Sequence, residues 1–103
     1  MNANERRASR RFPLQQHAVL ILENGDHHEI SAVTENACIQ GVLVVADSKV
    51  SIGCHVEVTI LLQGDGMVHA LRLHGSGRVV RVEERSPNQF AIAVRYDHPL
   101  AEA

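Results

Sequence analysis

Short runs of alternating apolar and polar residues recur along the chain and predict strands. The clearest run is residues 55–62, in which Val56, Val58, Ile60 and Leu62 occupy one face and polar residues occupy most of the other. A period of two is typical of a strand with one face on a core. We predict five further strands, at residues 17–23, 27–35, 42–46, 67–82 and 90–96.

The connections between these runs favour antiparallel pairing. Asn24-Gly25 predicts a type I′ hairpin, because both central positions of that turn need a positive φ. Gly75 and Gly77 lie two residues apart in the longest run, where missing side chains permit the sharp coiling of a small barrel. The continuously apolar residues 42–46 predict a strand covered on both faces. We therefore predict an all-β fold, a six-stranded antiparallel β-barrel.

The C-terminus carries a weaker signal. Asp97 followed by His98 and Pro99 is typical of a helix start, with Asp as the N-cap. Only residues 100–103 follow. A helix of about one turn does not hold itself without packing, so we expect a very short helix or none.

Composition narrows the class of protein. A chain of 103 residues predicts one domain, and with 45% hydrophobic but only 3% aromatic residues its core must be aliphatic. Neither a membrane-spanning run nor a signal-peptide core is present in the sequence, so we expect a cytoplasmic protein. Cys38 and Cys54 lack CxxC spacing, and the seven histidines lack a recurring ligand spacing. We expect neither a disulfide framework nor a metal site.

Charge is divided unevenly along the chain. Residues 1–12 carry a net charge of +3, from Arg6, Arg7, Arg10 and Arg11 against Glu5, whereas the rest carries −5. The planar guanidinium fork holds phosphate bidentately and stacks on flat rings, so this arm suits an anionic, planar ligand such as a nucleotide. The alternative is a solvated basic terminus without a ligand.

Two separated motifs point to a family. Arg7-x-x-x-Arg11 precedes Phe12-Pro13-Leu14, and about 25 residues later comes Asn36-x-Cys38-x-x-Gly41, followed by an apolar strand. The chain thereby resembles the PilZ domain, a bacterial receptor module for cyclic di-GMP with the motifs RxxxR and [DN]xSxxG. Residues 77–81 and 90–94 also look like the last two strands of that barrel.

The resemblance implies roles for individual residues. Arg7 and Arg11 would hold guanine and phosphate, Asn36 would read a guanine edge, and Gly41 would let the backbone approach the ligand. Arginine binds the O6/N7 edge of guanine bidentately, an amide both donates and accepts, and glycine has no Cβ. The alternatives are an arm without a ligand, an Asx-type turn residue and a simple turn glycine.

Three further residues extend the candidate site. Cys38 replaces the motif serine, and a thiol is a weaker hydrogen-bonding group than a hydroxyl. Arg6 and Arg10 add two charges beyond the motif, so we hypothesise that two stacked cyclic di-GMP molecules bind per chain. The alternative is that both side chains point to solvent.

The resulting organisation is a flexible basic arm at residues 1–16, a PilZ-like barrel at 17–97 and a C-terminal tail at 98–103.

We expect a single-domain cyclic di-GMP receptor that passes the second-messenger level to a downstream protein through ordering of its arm. The alternative is a PilZ-like adaptor that binds no nucleotide because of Cys38. A small barrel that binds RNA or DNA is a third possibility, disfavoured by the net charge of −2 and the few aromatic residues. The sequence contains no recognised motif that combines a nucleophile with an acid and a base, so we do not expect an enzyme. The partner's identity and the oligomeric state stay open.

Overall fold

The structure is a computed structural model that describes residues 15–24, 26–64 and 69–102. Within these ranges there are six strands: β1 (His17–Asn24), β2 (Asp26–Ala37), β3 (Gly41–Ala46), β4 (His55–Leu62), β5 (Leu71–Ser86) and β6 (Gln89–Glu102). They pair antiparallel in the order β1-β2-β3-β6-β5-β4, and β4 closes on β1. The predicted six-stranded antiparallel barrel is confirmed.

The barrel interior is filled by aliphatic side chains on the inward face of each strand. Leu20, Val44, Val58, Val79 and Ile92 are almost completely buried. Full burial of one such side chain contributes about 1.5–3 kcal/mol. Alternation along the strands therefore closes the barrel around a core without large aromatic rings.

The outer face of β3 differs from the prediction of a strand covered on both faces. Val42, Val44 and Ala46 are buried inside the barrel, but Leu43 and Val45 on the outer face are only half-buried. In the described part of the chain, no second layer covers this face.

The glycines of β5 lie where the sequence predicts them. Gly75 and Gly77 are both buried and lie opposite Val58 and Val56 of β4. A Cβ atom on Gly77 would overlap the carbonyl oxygen of Arg95 on the other side of the strand. The missing side chains let β6 cross β5 closely, although β5 begins at Leu71 rather than at residue 67.

The described C-terminal residues form no helix, which is the second of the two outcomes that we expected, and the local helix signal at Asp97 gives way to a strand. Asp97 continues β6, and residues 98–102, which we assigned to a tail, also belong to this strand. One residue of β5, Gly75, there faces two of β6, Pro99 and Leu100, because Ser76 pairs with His98 and His74 with Ala101. The bulge includes Pro99, which has no N–H to donate. Strand pairing provides more backbone hydrogen bonds than one helical turn would.

The predicted pairing of β1 with β2 is present, with Glu23 opposite His27 and Asn24 opposite Asp26. Gly25 of the predicted type I′ turn lies outside the described residues, so the turn type stays a prediction.

Candidate functional site

The second motif forms one wall of a shallow depression at the end of the barrel. Asn36 lies near the end of β2, Cys38 follows in the turn, and Gly41 begins β3. The Cys38 N–H donates to the Gly41 carbonyl oxygen at 2.9 Å, which closes the turn. The opposite wall is residues 93–95 of β6, and the depression has a volume of about 300 Å³. The structure thus brings together three of the seven predicted site residues.

The four arginines of the first motif and its neighbours lie outside the described residues. These are Arg6, Arg7, Arg10 and Arg11. Their predicted contacts stay predictions.

Asn36 presents a buried acceptor at the depression. Its Oδ1 atom is buried and has no hydrogen-bond partner among the described residues. A β-bulge between Thr34 and Asn36 shifts the register of β2 against β3 just before this residue. Buried polar atoms in proteins are nearly always paired, so an unpaired oxygen beside a depression is suited to a donor supplied by a ligand.

Cys38 is exposed at the depression rather than buried as a space-filling thiol. It also influences Tyr96, a neighbour on β6. Burial, and secondarily the negative charge of an ionised Cys38, raise the pKa of Tyr96. The phenol therefore stays neutral, and within the described ranges its buried oxygen has no hydrogen-bond partner.

Gly41 has a structural reason to be glycine. A Cβ atom on this residue would overlap the carbonyl oxygen of Val94 on β6. The close approach of β3 and β6 therefore requires glycine at this position whether or not a ligand binds.

Arg95 is the site residue that sequence reasoning missed. It is exposed, lines the depression and pairs across the sheet with Gly41. In the sequence it is one outward residue among several of a predicted strand, and nothing local distinguishes it. The pairing of β3 with β6 places its permanent positive charge beside Asn36 and Cys38.

The chain enters the barrel beside this motif. The Gln16 N–H donates to Thr34 Oγ1 at 2.9 Å, and the Thr34 N–H donates to the Gln16 carbonyl oxygen at 2.8 Å. Thr34 precedes Asn36 by two residues, or roughly 7 Å of extended strand. Arg11 precedes Gln16 by five residues, which span at most about 18 Å. The first motif is therefore within reach of the second.

Two histidines on the outer surface lie beside carboxylates. His55 lies 3.1 Å from Glu23 and 3.7 Å from Asp97, and His74 lies 3.2 Å from Glu57. Among the residues that the structure describes, no group of three or more donors is arranged to hold a metal ion. Nor does that part of the chain contain a helix long and apolar enough to cross a membrane.

The comparisons with known proteins support the fold. No protein-family model matches the sequence, and no curated protein sequence matches it. A similar solved structure is the Bacillus subtilis inhibitor of motility (MotI/DgrA), with a TM-score of 0.69 and 16% sequence identity. The match covers 87% of this chain and 42% of that one, so this chain corresponds to less than half of its length. At this identity the similarity supports a PilZ-like barrel fold.

Proposed function

We propose that this protein is a cyclic di-GMP receptor that acts on a downstream protein. The observation that carries the proposal is the depression between the Asn36–Gly41 turn and Arg95, with the buried, unpaired Asn36 Oδ1 beside it. The RxxxR segment joins the barrel within reach of this depression. The PilZ-like fold is additional support.

In this proposal the two motifs hold the nucleotide from opposite sides. Arg7 and Arg11 bind guanine and phosphate, because guanidinium groups pair bidentately with the O6/N7 edge and with phosphate oxygens. Asn36 Oδ1 accepts a hydrogen bond from a guanine N–H. Cys38 contributes a weaker polar contact than serine would.

In this proposal the arm transmits the signal. A ligand held by both the arm and the barrel fixes the arm against the outer surface near β3, where Leu43 and Val45 are half-exposed. A surface that differs between the free and bound states is what a partner protein needs in order to respond.

Calorimetric titration with cyclic di-GMP tests the proposal. We expect binding by the wild-type chain and a loss of about 2–3 kcal/mol, close to a hundredfold in affinity, in Arg7→Ala and in Arg11→Ala. Arg72→Ala is the matched control, since Arg72 is an exposed arginine of β5 outside the depression. Normal binding by both arm variants would contradict the motif assignment.

Stoichiometry tests the roles of Arg6 and Arg10. Two stacked nucleotides carry four phosphates, whose repulsion the two additional arginines would offset. We expect two ligands per chain, and one in Arg6→Ala. A stoichiometry of one that is unchanged in this variant assigns Arg6 to the solvent.

A wild-type chain that gives no heat at high micromolar cyclic di-GMP would favour the adaptor. In that case Cys38→Ser, which restores the motif hydroxyl, is the decisive variant. Recovery of binding by this variant would identify Cys38 as the cause of the loss.

A further inference from the structure

Two arginines that form no ion pair with any described residue lie side by side on neighbouring strands, and one of them, Arg95, lines the depression. Arg78 of β5 and Arg95 of β6 are direct cross-strand partners, and both are exposed. Like charges directly opposite each other destabilise a sheet. Among the described residues the ion pairs of arginine belong to Arg81 and Arg85, which contact Glu83 and Glu35. The positive charges of Arg78 and Arg95 are thus left without a carboxylate.

The pairing register places these two charges in line with the second motif. Gly41 pairs with Arg95, and Arg95 pairs with Arg78, so the three residues form one row across β3, β6 and β5. Gly41 contributes no side chain to this row. Cross-strand partners lie about 5 Å apart at Cβ, which lets both guanidinium groups reach the same phosphate.

We propose that Arg95 and Arg78 form an anion subsite on the barrel that holds a phosphate group of the bound nucleotide. The assignment of the anion to a nucleotide rests on the proposed function. The subsite lies on the barrel and is separate from the arginines of the arm. A phosphate there relieves the repulsion between the two guanidinium groups, and the buried Asn36 Oδ1 at the same depression takes a donor from the attached base.

A purely structural role is the competing explanation for Arg78. Its Nη1 donates to the Gly53 carbonyl oxygen at 3.3 Å and contacts the loop between β3 and β4. Arg95 has no side-chain hydrogen bond or ion pair within the described ranges. Arg95→Gln is therefore the primary variant, Arg78→Gln the second, and Arg72→Gln the control for loss of an exposed arginine on β5.

The experiment follows the arginine Nε–Hε signals by NMR during titration with two probes, inorganic pyrophosphate and cyclic di-GMP. Pyrophosphate carries the charge without the base. We expect it to shift the Arg78 and Arg95 signals, to leave Arg72 unchanged, and to shift Arg78 far less in Arg95→Gln. For cyclic di-GMP we expect about a tenfold rise in Kd in Arg95→Gln and no change in Arg72→Gln.

The two probes separate the subsite from the proposed function. Pyrophosphate shifts at Arg78 and Arg95 without any binding of cyclic di-GMP support the subsite and reject the nucleotide. Tight binding of cyclic di-GMP that is equal in wild type, Arg95→Gln and Arg78→Gln supports the receptor and overturns the subsite. Equal shifts at Arg72, Arg78 and Arg95 with pyrophosphate also overturn it.

Discussion

Gly41 at the start of β3 lies directly opposite Arg95 of β6, and a side chain on Gly41 would overlap the neighbouring Val94 carbonyl oxygen. This pairing joins the turn of the second motif to a cation that is distant in sequence. The same close approach that requires glycine also positions the guanidinium group at the depression. Packing of the two strands and construction of the site are therefore coupled at this position.

Gly41→Ala should destabilise the barrel by about 1–3 kcal/mol, because the added Cβ forces the β3 and β6 backbones apart. Urea unfolding measures the free energy of unfolding. Lys49→Ala is the control, since Lys49 is exposed in the loop after β3 and should change stability by less than about 0.5 kcal/mol. A Gly41→Ala barrel as stable as the wild type would show that the strands adjust without strain.

Asn36→Ala should separate binding from stability. Removing an unpaired buried oxygen costs the folded protein little and can stabilise it by up to about 1 kcal/mol. Loss of the acceptor should lower affinity for cyclic di-GMP about tenfold, as for one hydrogen bond to the ligand. Urea unfolding and calorimetry measure the two effects. A destabilised variant that binds normally would assign Asn36 to the fold alone.

Cys38→Ser should retain affinity for cyclic di-GMP or improve it by up to about 1 kcal/mol, because a hydroxyl is the stronger hydrogen-bonding group. A mixed disulfide of Cys38 with glutathione enlarges the side chain at the depression and should block the nucleotide. The test treats two variants with oxidised glutathione and then measures their binding of cyclic di-GMP. Cys54→Ser keeps Cys38, whereas Cys38→Ser removes it. We expect inhibition in the first variant alone, and equal inhibition of both would exclude Cys38 as the sensitive thiol.

Tyr96 should ionise at a higher pH in the folded protein than the ordinary value of about 10, since burial, and then the charge of Cys38, raise its pKa. The neutral phenol makes its full contribution to the free energy of unfolding below about pH 10, and this contribution is lost as the pH rises above that value. Tyr96 is the one tyrosine and the chain has no tryptophan, so tyrosinate absorbance reports it alone. Cys38→Ala should lower its pKa slightly and leave it raised, because burial is the larger cause. Ionisation near pH 10 in the folded wild type would contradict the burial of the phenol.

The sequence by itself determined most of the strands, the closed barrel and one part of the candidate site. Val56, Val58 and Ile60 alternate because a strand turns successive side chains to opposite faces, and this rule needs no knowledge of the partner strand. The motif residues 36–41 lie in one turn, so their proximity is also local. These features could be predicted because the residues that decide them are neighbours in the chain.

The rest of the site was decided by tertiary structure. Arg95 and Tyr96 join the motif turn through the pairing of β3 with β6, between residues more than 50 positions apart. Asp97 and Pro99 carry a local helix signal, but β5 offers a run of backbone hydrogen-bond partners that extends β6 instead. The local preference for a helix amounts to about 1 kcal/mol at an N-cap. The backbone hydrogen bonds offered by a neighbouring strand outweigh it. Which strand lies alongside depends on closure of the whole barrel, and no short stretch of sequence contains that information.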